Sequence, residues 1–358
     1  MKVLTRYLAK EVLIATAMTL LAFLALFLFF DFINELDAIG KEGYELKHAI
    51  LYVALISPGR IYELLPVVVL IGTLYALTTL ARNSEITVMR ASGMSTKNLL
   101  FTLTSIGLTY VAATFIFGEY IAPPAERIAK QLKLTVTGDT VSQQLNSGFW
   151  IKDGTRIINV GVVMPDHSLH FIRIHEFDDH GRLTSLSQAQ TGEYIPESGN
   201  WRLDNVSQTS FEDGQIRVTT PGELAWHSNL SPDVLSVLMV DPAHMTIVSL
   251  YTYIRHLKDN QQNANRYDIA LWKKITYPFA VLVMMALALP FGFFHDRMGG
   301  VGAKVFVGVM LGVGFHLLNG LFSNLGIIAS WSPAISAFAP SIIFMIAAIT
   351  MLYWVERR

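Results

Sequence analysis

The chain has 358 residues, 52% of them hydrophobic and only 15% charged, with a mean hydropathy of +0.42. Soluble domains carry about a quarter charged residues, so this composition excludes the two soluble domains that the length alone would accommodate. A net charge of −1 leaves no electrostatic footprint for nucleic acid, and the absence of cysteine excludes disulfides, thiol catalysis and thiolate–metal sites.

Six stretches are long and apolar enough to cross a hydrocarbon core of about 30 Å: residues 12–30, 61–80, 99–118, 275–294, 305–325 and 334–355. Lys2, Arg6 and Lys10 precede the first, but its apolar run exceeds a signal-peptide core and no small-residue cleavage site follows, so it reads as a retained span. Charge is unevenly placed, with 29 of the 55 charged side chains between residues 123 and 272. The expected organisation is therefore spans one to three over 1–122, a polar domain over 123–272, and spans four to six over 273–358. Lys and Arg counts at the span ends place both termini in the cytoplasm and the polar domain outside. Ten cations, among them Arg82, Arg90, Lys97 and Lys304, fall on the inner side, against Lys41, Lys47 and Arg60 on the short outer pieces.

The loop between spans two and three reads Arg82-Asn83-Ser84-Glu85-Ile86-Thr87-Val88-Met89-Arg90-Ala91-Ser92-Gly93-Met94. Asn83 or Ser84 suits an N-cap, Glu85 the positive first turn and Gly93 the C′ position, which predicts a short helix over 84–93. Glu85, Val88, Met89 and Ser92 share one face by spacing. Such a helix fits a partner's groove, or else lies on the lipid surface with Glu85 only capping.

In the polar domain, strands are expected at 156–163, 169–177, 188–195, 201–206 and 216–219, separated by turns such as Lys152-Asp153-Gly154 and Glu212-Asp213-Gly214. Regular strands with polar turns predict an antiparallel β jelly-roll-like domain. Helical spacing follows at 246–258 and 267–274. His167, His170, His175 and His180 read as solvated strand and turn residues, since an odd spacing along one strand sends His170 and His175 to opposite faces. No G-x-S-x-G, H-E-x-x-H or G-x-x-x-x-G-K-[ST] occurs, so the sequence gives no sign of an active site and any ATP hydrolysis belongs to another chain.

Cations gather toward the outer span ends: Lys41, Lys47, Arg60, Arg127, Lys130, Lys133, Lys273 and Lys274. They fit the phosphates of an anionic lipid, or interfacial anchoring. His316 and Asn319 share a face of span five, where Gly308, Gly312 and Gly320 favour close helix packing.

Taken whole, the chain resembles the LptF/LptG family of lipopolysaccharide-export permeases. Residues 84–94 match the family's coupling helix, and three further stretches look like its LptG branch. These are Gly118-Glu119-Tyr120-Ile121-Ala122-Pro123, Gly148-Phe149-Trp150-Ile151-Lys152-Asp153-Gly154, and Asn229-Leu230-Ser231-Pro232-Asp233 with the later Asp241-Pro242. The resemblance implies an inner-membrane permease that pairs with an LptF-like paralogue and is driven by an LptB-like ATPase dimer. LptC-like and LptA-like jelly-roll proteins would receive the lipopolysaccharide. It implies no cofactor on this chain, with ATP and Mg acting on the ATPase. It also implies ATPase coupling through Ser84, Glu85, Val88, Met89, Arg90, Ser92 and Gly93. Arg60, Lys130 and Lys133 match basic sites that face lipid phosphates in relatives, with Lys41, Arg127, Lys273 and Lys274 as further candidates. One end departs from the pattern. Asp31, Glu35 and Asp37 stand where some relatives carry lysines, which points to divalent-ion bridging or to a differently charged lipid. The alternatives are a permease of another ABC-type lipid or lipoprotein release system, a lipid-modifying membrane enzyme, and a scaffold.

Overall fold

The computed structural model of the chain describes residues 2–40, 43–93, 95–137, 149–163, 168–178, 180–196, 198, 200–212, 215–226, 228, 242–293 and 300–357. Lys41, Met94, Gly148, His167, Arg297, Arg358, the 229–233 stretch and Asp241 therefore lie outside the described residues. In chain order the elements are α1 (Lys2–Leu36), α2 (Leu46–Arg82), α3 (Glu85–Ala91), α4 (Thr96–Ile116), a π-helical turn (Phe117–Ile121) and α5 (Ala122–Thr137). Strands β1 (Phe149–Asp153), β2 (Arg156–Val163), β3 (Leu169–Phe177), β4 (Leu183–Ile195), β5 (Asn200–Glu212) and β6 (Gln215–Trp226) follow. The chain ends with α6 (Ile247–Asp259), α7 (Asn265–Ala288), α8 (Val301–Ile328) and α9 (Pro333–Glu356). They form two compact units: Met1–Asn34 with Val53–Glu126 and Asn265–Arg358, and Glu35–Tyr52 with Arg127–Ala264.

The first unit carries six helices long and apolar enough to cross a membrane. Each outruns its hydropathy peak. α1 has 35 residues, about 52 Å at 1.5 Å per residue, because helical pairing continues into polar ends that a hydropathy window discards. α2 and α7 are its enclosed centre, with 78% and 72% of their apolar windows buried, whereas α1 and α8 have 17% each. Close approach rests on missing side chains, as packing in lipid demands. A Cβ on Gly72 would stand 2.5 Å from the Thr16 backbone, and one on Gly312 would stand 2.4 Å from Val67.

The π-turn has a local cause. Pro123 and Pro124 open α5 without N–H groups, and a proline ring collides with the carbonyl four residues back. Widening the preceding turn relieves the collision. Gly118 in that turn lies against the Tyr62 ring, where a Cβ would sit 2.5 Å away.

In the second unit the antiparallel sheet expected from the turn signals is present, as six strands in sequence order β1-β2-β3-β4-β5-β6. Alternation sorts its faces. Ile151, Ile158, Ile172, Ala189, Leu203 and Val206 are buried, while Trp150, Ile157, Arg173 and Gln188 face outward. Trp201 is fully buried between Tyr194 and Trp226, at ring distances of 5.3 and 6.1 Å. Truncating such a side chain costs about 3–5 kcal/mol.

Strand pairing lapses along one line. Gly161, Phe171, Gln190 and Asn205 miss their partners while the register on either side stays the same, and the line meets a bulge at Gly222 between β5 and β6. Phe171, Asn205 and Gly222 have φ of +54°, +53° and +68°. The sheet is creased there.

Candidate functional site

Two places gather the residues singled out above. The first is α3. Ser84 sits at φ +61° and makes no side-chain cap, so the chain leaves α2 through a tight left-handed residue rather than the expected capping serine. The other end follows expectation, with Gly93 at φ +91° and its N–H donating to the Arg90 carbonyl at 3.0 Å. Ser92 Oγ folds back to the Val88 carbonyl at 2.9 Å.

The face drawn from spacing divides. Met89 is buried with Ile86, whereas Val88 is exposed and Glu85 half-buried. Ile86 and Met89 enter a cluster with Leu8 and Val12 of α1, Leu77 and Leu80 of α2, Leu99 and Leu103 of α4, and Leu289 after α7. Ile86 and Met89 thus share one apolar cluster with residues of four helices, since a short helix gains its stability from the apolar side it buries. Arg90 lies over the Phe293 ring at 5.5 Å. Glu85 accepts from the Asn83 amide at 3.4 Å.

The second is not one place but two sets of acid–base pairs, one within each unit. In the first unit, Arg60 donates through Nε and Nη2 to the two oxygens of Asp31, at 2.8 and 2.7 Å, and through Nη1 to Glu63 at 3.0 Å. A guanidinium fork engages a carboxylate in this bidentate way more strongly than a point charge would. Lys274 is buried over the Tyr62 ring at 5.5 Å and feels the charges of Glu119 and Glu126. Tyr62 packs on Tyr277, whose hydroxyl donates to the Glu63 carbonyl at 2.6 Å. That carbonyl lies three residues before Pro66, a proline inside α2. Lys273 Nζ donates to the Asn319 carbonyl at 3.3 Å.

In the second unit, Glu35 is buried and holds Lys133 Nζ at 2.7 Å and the Tyr44 hydroxyl at 2.8 Å, both on the same oxygen. Burial and that carboxylate push the Tyr44 hydroxyl above its ordinary pKa. Lys133 also lies over the Tyr52 ring at 5.0 Å. Arg127 Nη2 donates to Ser249 Oγ near the start of α6 at 3.2 Å, Lys130 is half-buried, and Lys47 pairs at the surface with Glu45.

The cations read as one ring are thus of two kinds. Arg60 and Lys133 each rest on a carboxylate of the acidic α1 end, while Lys273 and Lys274 are taken up by carbonyl, ring and acid partners among the helices. Sequence reading missed the acid–base pairing. Asp31 and Arg60 lie 29 residues apart on different helices, and no local pattern links them.

Comparison with known proteins comes out the same way along the whole chain. A family model described as "Lipopolysaccharide export system permease LptF/LptG" matches residues 6–354. The lipopolysaccharide export system permease protein LptG of Escherichia coli (strain K12) is 32% identical over 353 residues, covering 98% of each chain. The protein of that name from Haemophilus influenzae is 29% identical over 355 residues, covering 99% of this chain and 98% of its own.

Proposed function

The chain belongs to the LptF/LptG family of lipopolysaccharide export system permeases, and from that premise we propose that it is the membrane subunit of an ABC-type exporter. In this reading it takes lipopolysaccharide out of the inner membrane and passes it to a periplasmic bridge of β jelly rolls. It stands beside an LptF-like paralogue, on an LptB-like ATPase dimer, with LptC-like and LptA-like proteins ahead of it. Both termini are cytoplasmic and the sheet is periplasmic. ATP and Mg act on the ATPase, and this chain is a transporter subunit rather than an enzyme. The observation that supports the reading most is the family match over residues 6–354, on a chain whose six apolar helices divide around an antiparallel sheet.

The physics of the task agrees with that division of labour. Moving acyl chains into water costs about 0.8 kcal/mol per CH₂, so extraction needs coupled ATP work and an apolar path. α3 is suited to receive that work because Ile86 and Met89 share an apolar cluster with residues of the spans while Val88 is exposed. Arg60, Lys130 and Lys133, with Lys41, Arg127, Lys273 and Lys274 as further candidates, are assigned to the lipid phosphates. A phosphate that reaches Arg60 or Lys133 exchanges with a carboxylate already there. Swapping one anion for another leaves no cation uncompensated, which keeps both capture and release low in cost.

Purification of the tagged chain in mild detergent, with mass identification of what co-elutes, tests the assembly. A second six-span permease, a small ATPase and lipopolysaccharide are expected; a lone chain counts against it. Replacing Arg60, Lys130 and Lys133 together by Gln is expected to lower photo-cross-linking to lipopolysaccharide. Unchanged cross-linking returns the three to interfacial anchoring.

A further inference from the structure

Spans two, three and four each interrupt their backbone pairing, and the interruptions meet. A proline inside a helix has no N–H for the carbonyl four residues back, and its ring crowds that carbonyl. In α2 Pro66 does this to Tyr62, and in α7 Pro278 does it to Lys274. Span three widens into the π-turn Phe117–Ile121. The side chains at these three breaks touch one another. Lys274 Nζ lies over the Tyr62 ring at 5.5 Å, the ring of Tyr277, next to Pro278, is 5.0 Å from it, and Gly118 of the π-turn lies against it. A helix broken in apolar surroundings needs donors from elsewhere. At Pro58, earlier in α2, the helix supplies its own, since Ser57 Oγ donates to the Ala54 carbonyl at 2.8 Å. At Pro66 the donor comes from another helix. The Tyr277 hydroxyl reaches the Glu63 carbonyl, the neighbour of the carbonyl that Pro66 leaves without its N–H, at 2.6 Å.

We propose that Tyr277 is a positioning residue whose hydroxyl clasps α2 at its Pro66 break to α7, so that Arg60 and Lys274 are presented to lipid phosphates as one piece. This rests on the reading of both cations as phosphate ligands. Arg60, paired with Glu63 at 3.0 Å, stands on the part of α2 before Pro66, and Lys274 on the part of α7 before Pro278. The other part of α2 leads into α3. A helix bends most readily at a proline, so the segment that carries Arg60 is free to swing unless something outside α2 holds it. Ring packing of Tyr62 on Tyr277 resists separation but allows sliding, because dispersion contacts have no direction. The hydrogen bond is directional and fixes the Glu63 turn along α7. With it in place, a shift of α2 or α7 carries both cations together and keeps their spacing.

Tyr277→Phe tests the clasp because it keeps the ring on Tyr62 and removes only the hydroxyl. The exporter, reconstituted in proteoliposomes with its permease partner and ATPase, is assayed for ATP-driven release over a series of lipopolysaccharide contents. The content that gives half-maximal release is expected to rise about two- to tenfold, the range that a single hydrogen bond commands, with maximal release within about twofold of the parent. No rise overturns the proposal, and so does a fall in maximal release that matches or exceeds the rise. Pro66→Ala returns the N–H that the Tyr62 carbonyl lacks and closes the break. On that background Tyr277→Phe should shift the half-maximal content by less than about twofold, whereas an equal shift on both backgrounds means that the hydroxyl does not act through the break and overturns the proposal. Hydrogen exchange in the Tyr277→Phe complex gives a readout that needs no activity. Exchange should quicken over residues 53–65 and stay at the parent level over 68–82; no change, or an equal change along the whole of α2, overturns the clasp. If the parent complex itself releases no lipopolysaccharide with ATP, the functional reading fails, while the exchange result still decides the clasp.

Discussion

The two ends of α1 use carboxylates in opposite ways. At the far end Asp31 and Glu35 each hold a cation, Arg60 and Lys133, within 2.8 Å. At the near end Glu85 has, among the described residues, only the neutral Asn83 amide as a hydrogen-bond partner. The far-end charge is spent inside the chain, and the near-end charge is left over. A carboxylate whose hydrogen-bond partner is neutral keeps its attraction for a cation elsewhere, which is the state a docking contact needs. The paired acids instead set the state from which Arg60 and Lys133 begin any exchange.

Changing Glu85 should break this contrast with the largest effect. Glu85→Lys is expected to abolish lipopolysaccharide release from proteoliposomes while membrane insertion, read by fractionation, stays at the parent level. Glu85→Gln keeps a hydrogen-bond acceptor for the Asn83 amide and loses only the charge. If the charge serves a partner, release falls by about tenfold or more, as for a charge-assisted contact. If Gln behaves as the parent, the charge serves no partner.

The far end should respond in stability. Asp31→Asn removes the bidentate partner of Arg60 and leaves Glu63 in place. A loss of roughly 1 kcal/mol is expected by thermal unfolding in detergent, kept small because a third of the Arg60 side chain is solvated. Adding Arg60→Gln to Asp31→Asn should cost less than the sum of the two single changes, and additive costs would dissolve the pair. Glu35→Gln should cost less than Asp31→Asn, since Gln still accepts from Tyr44.

The smallest effect concerns His256 on α6, where Asn260 beside it accepts the Gly154 N–H of the β1–β2 turn at 2.9 Å. Burial lowers the His256 pKa, against the opposing pull of Asp153 and Asp259. Its neutral form is therefore the one that the fold accepts. Above the ordinary imidazole value near 6.5 it contributes nothing to pH dependence. As pH falls through that value the unfolded chain takes the proton first, so stability is lost at lower pH. Hydrogen exchange in α6 should quicken below that point, and His256→Gln should flatten the profile.

Much of this was legible in the sequence. The six spans announce themselves by apolar length alone, and the strands by alternation, with 156–163 and 169–177 read to the residue. Glu85 and Gly93 marked α3 because helix ends have local chemistry. The failures are long-range. Ser84 reads as a cap, yet it turns the chain instead, because the exit from α2 is set by what α3 must bury. Lys273 and Lys274 read as members of the outer cation set, and their partners inside the fold, the Asn319 carbonyl and the Tyr62 ring, have no local signal. Asp31 and Glu35 read as a departure from a basic pattern, since only the folded chain brings Arg60 and Lys133 to them.

The crease across the sheet bears on error rather than on shape. A strand that slips by one residue turns its apolar side to water, and alternation alone forbids it. A slip by two keeps every side chain on its proper face and escapes that check. Here the crease supplies the second check. Phe171 in its left-handed conformation faces Gly161, where even a Cβ would come within 2.9 Å of it. A two-residue slip would present Asn159 or Val163 at that point, and either carries the Cβ that the contact refuses. Phe171 and Gly161 together act as a notch and tooth, admitting one alignment of β2 with β3 while the chain is still finding its partners.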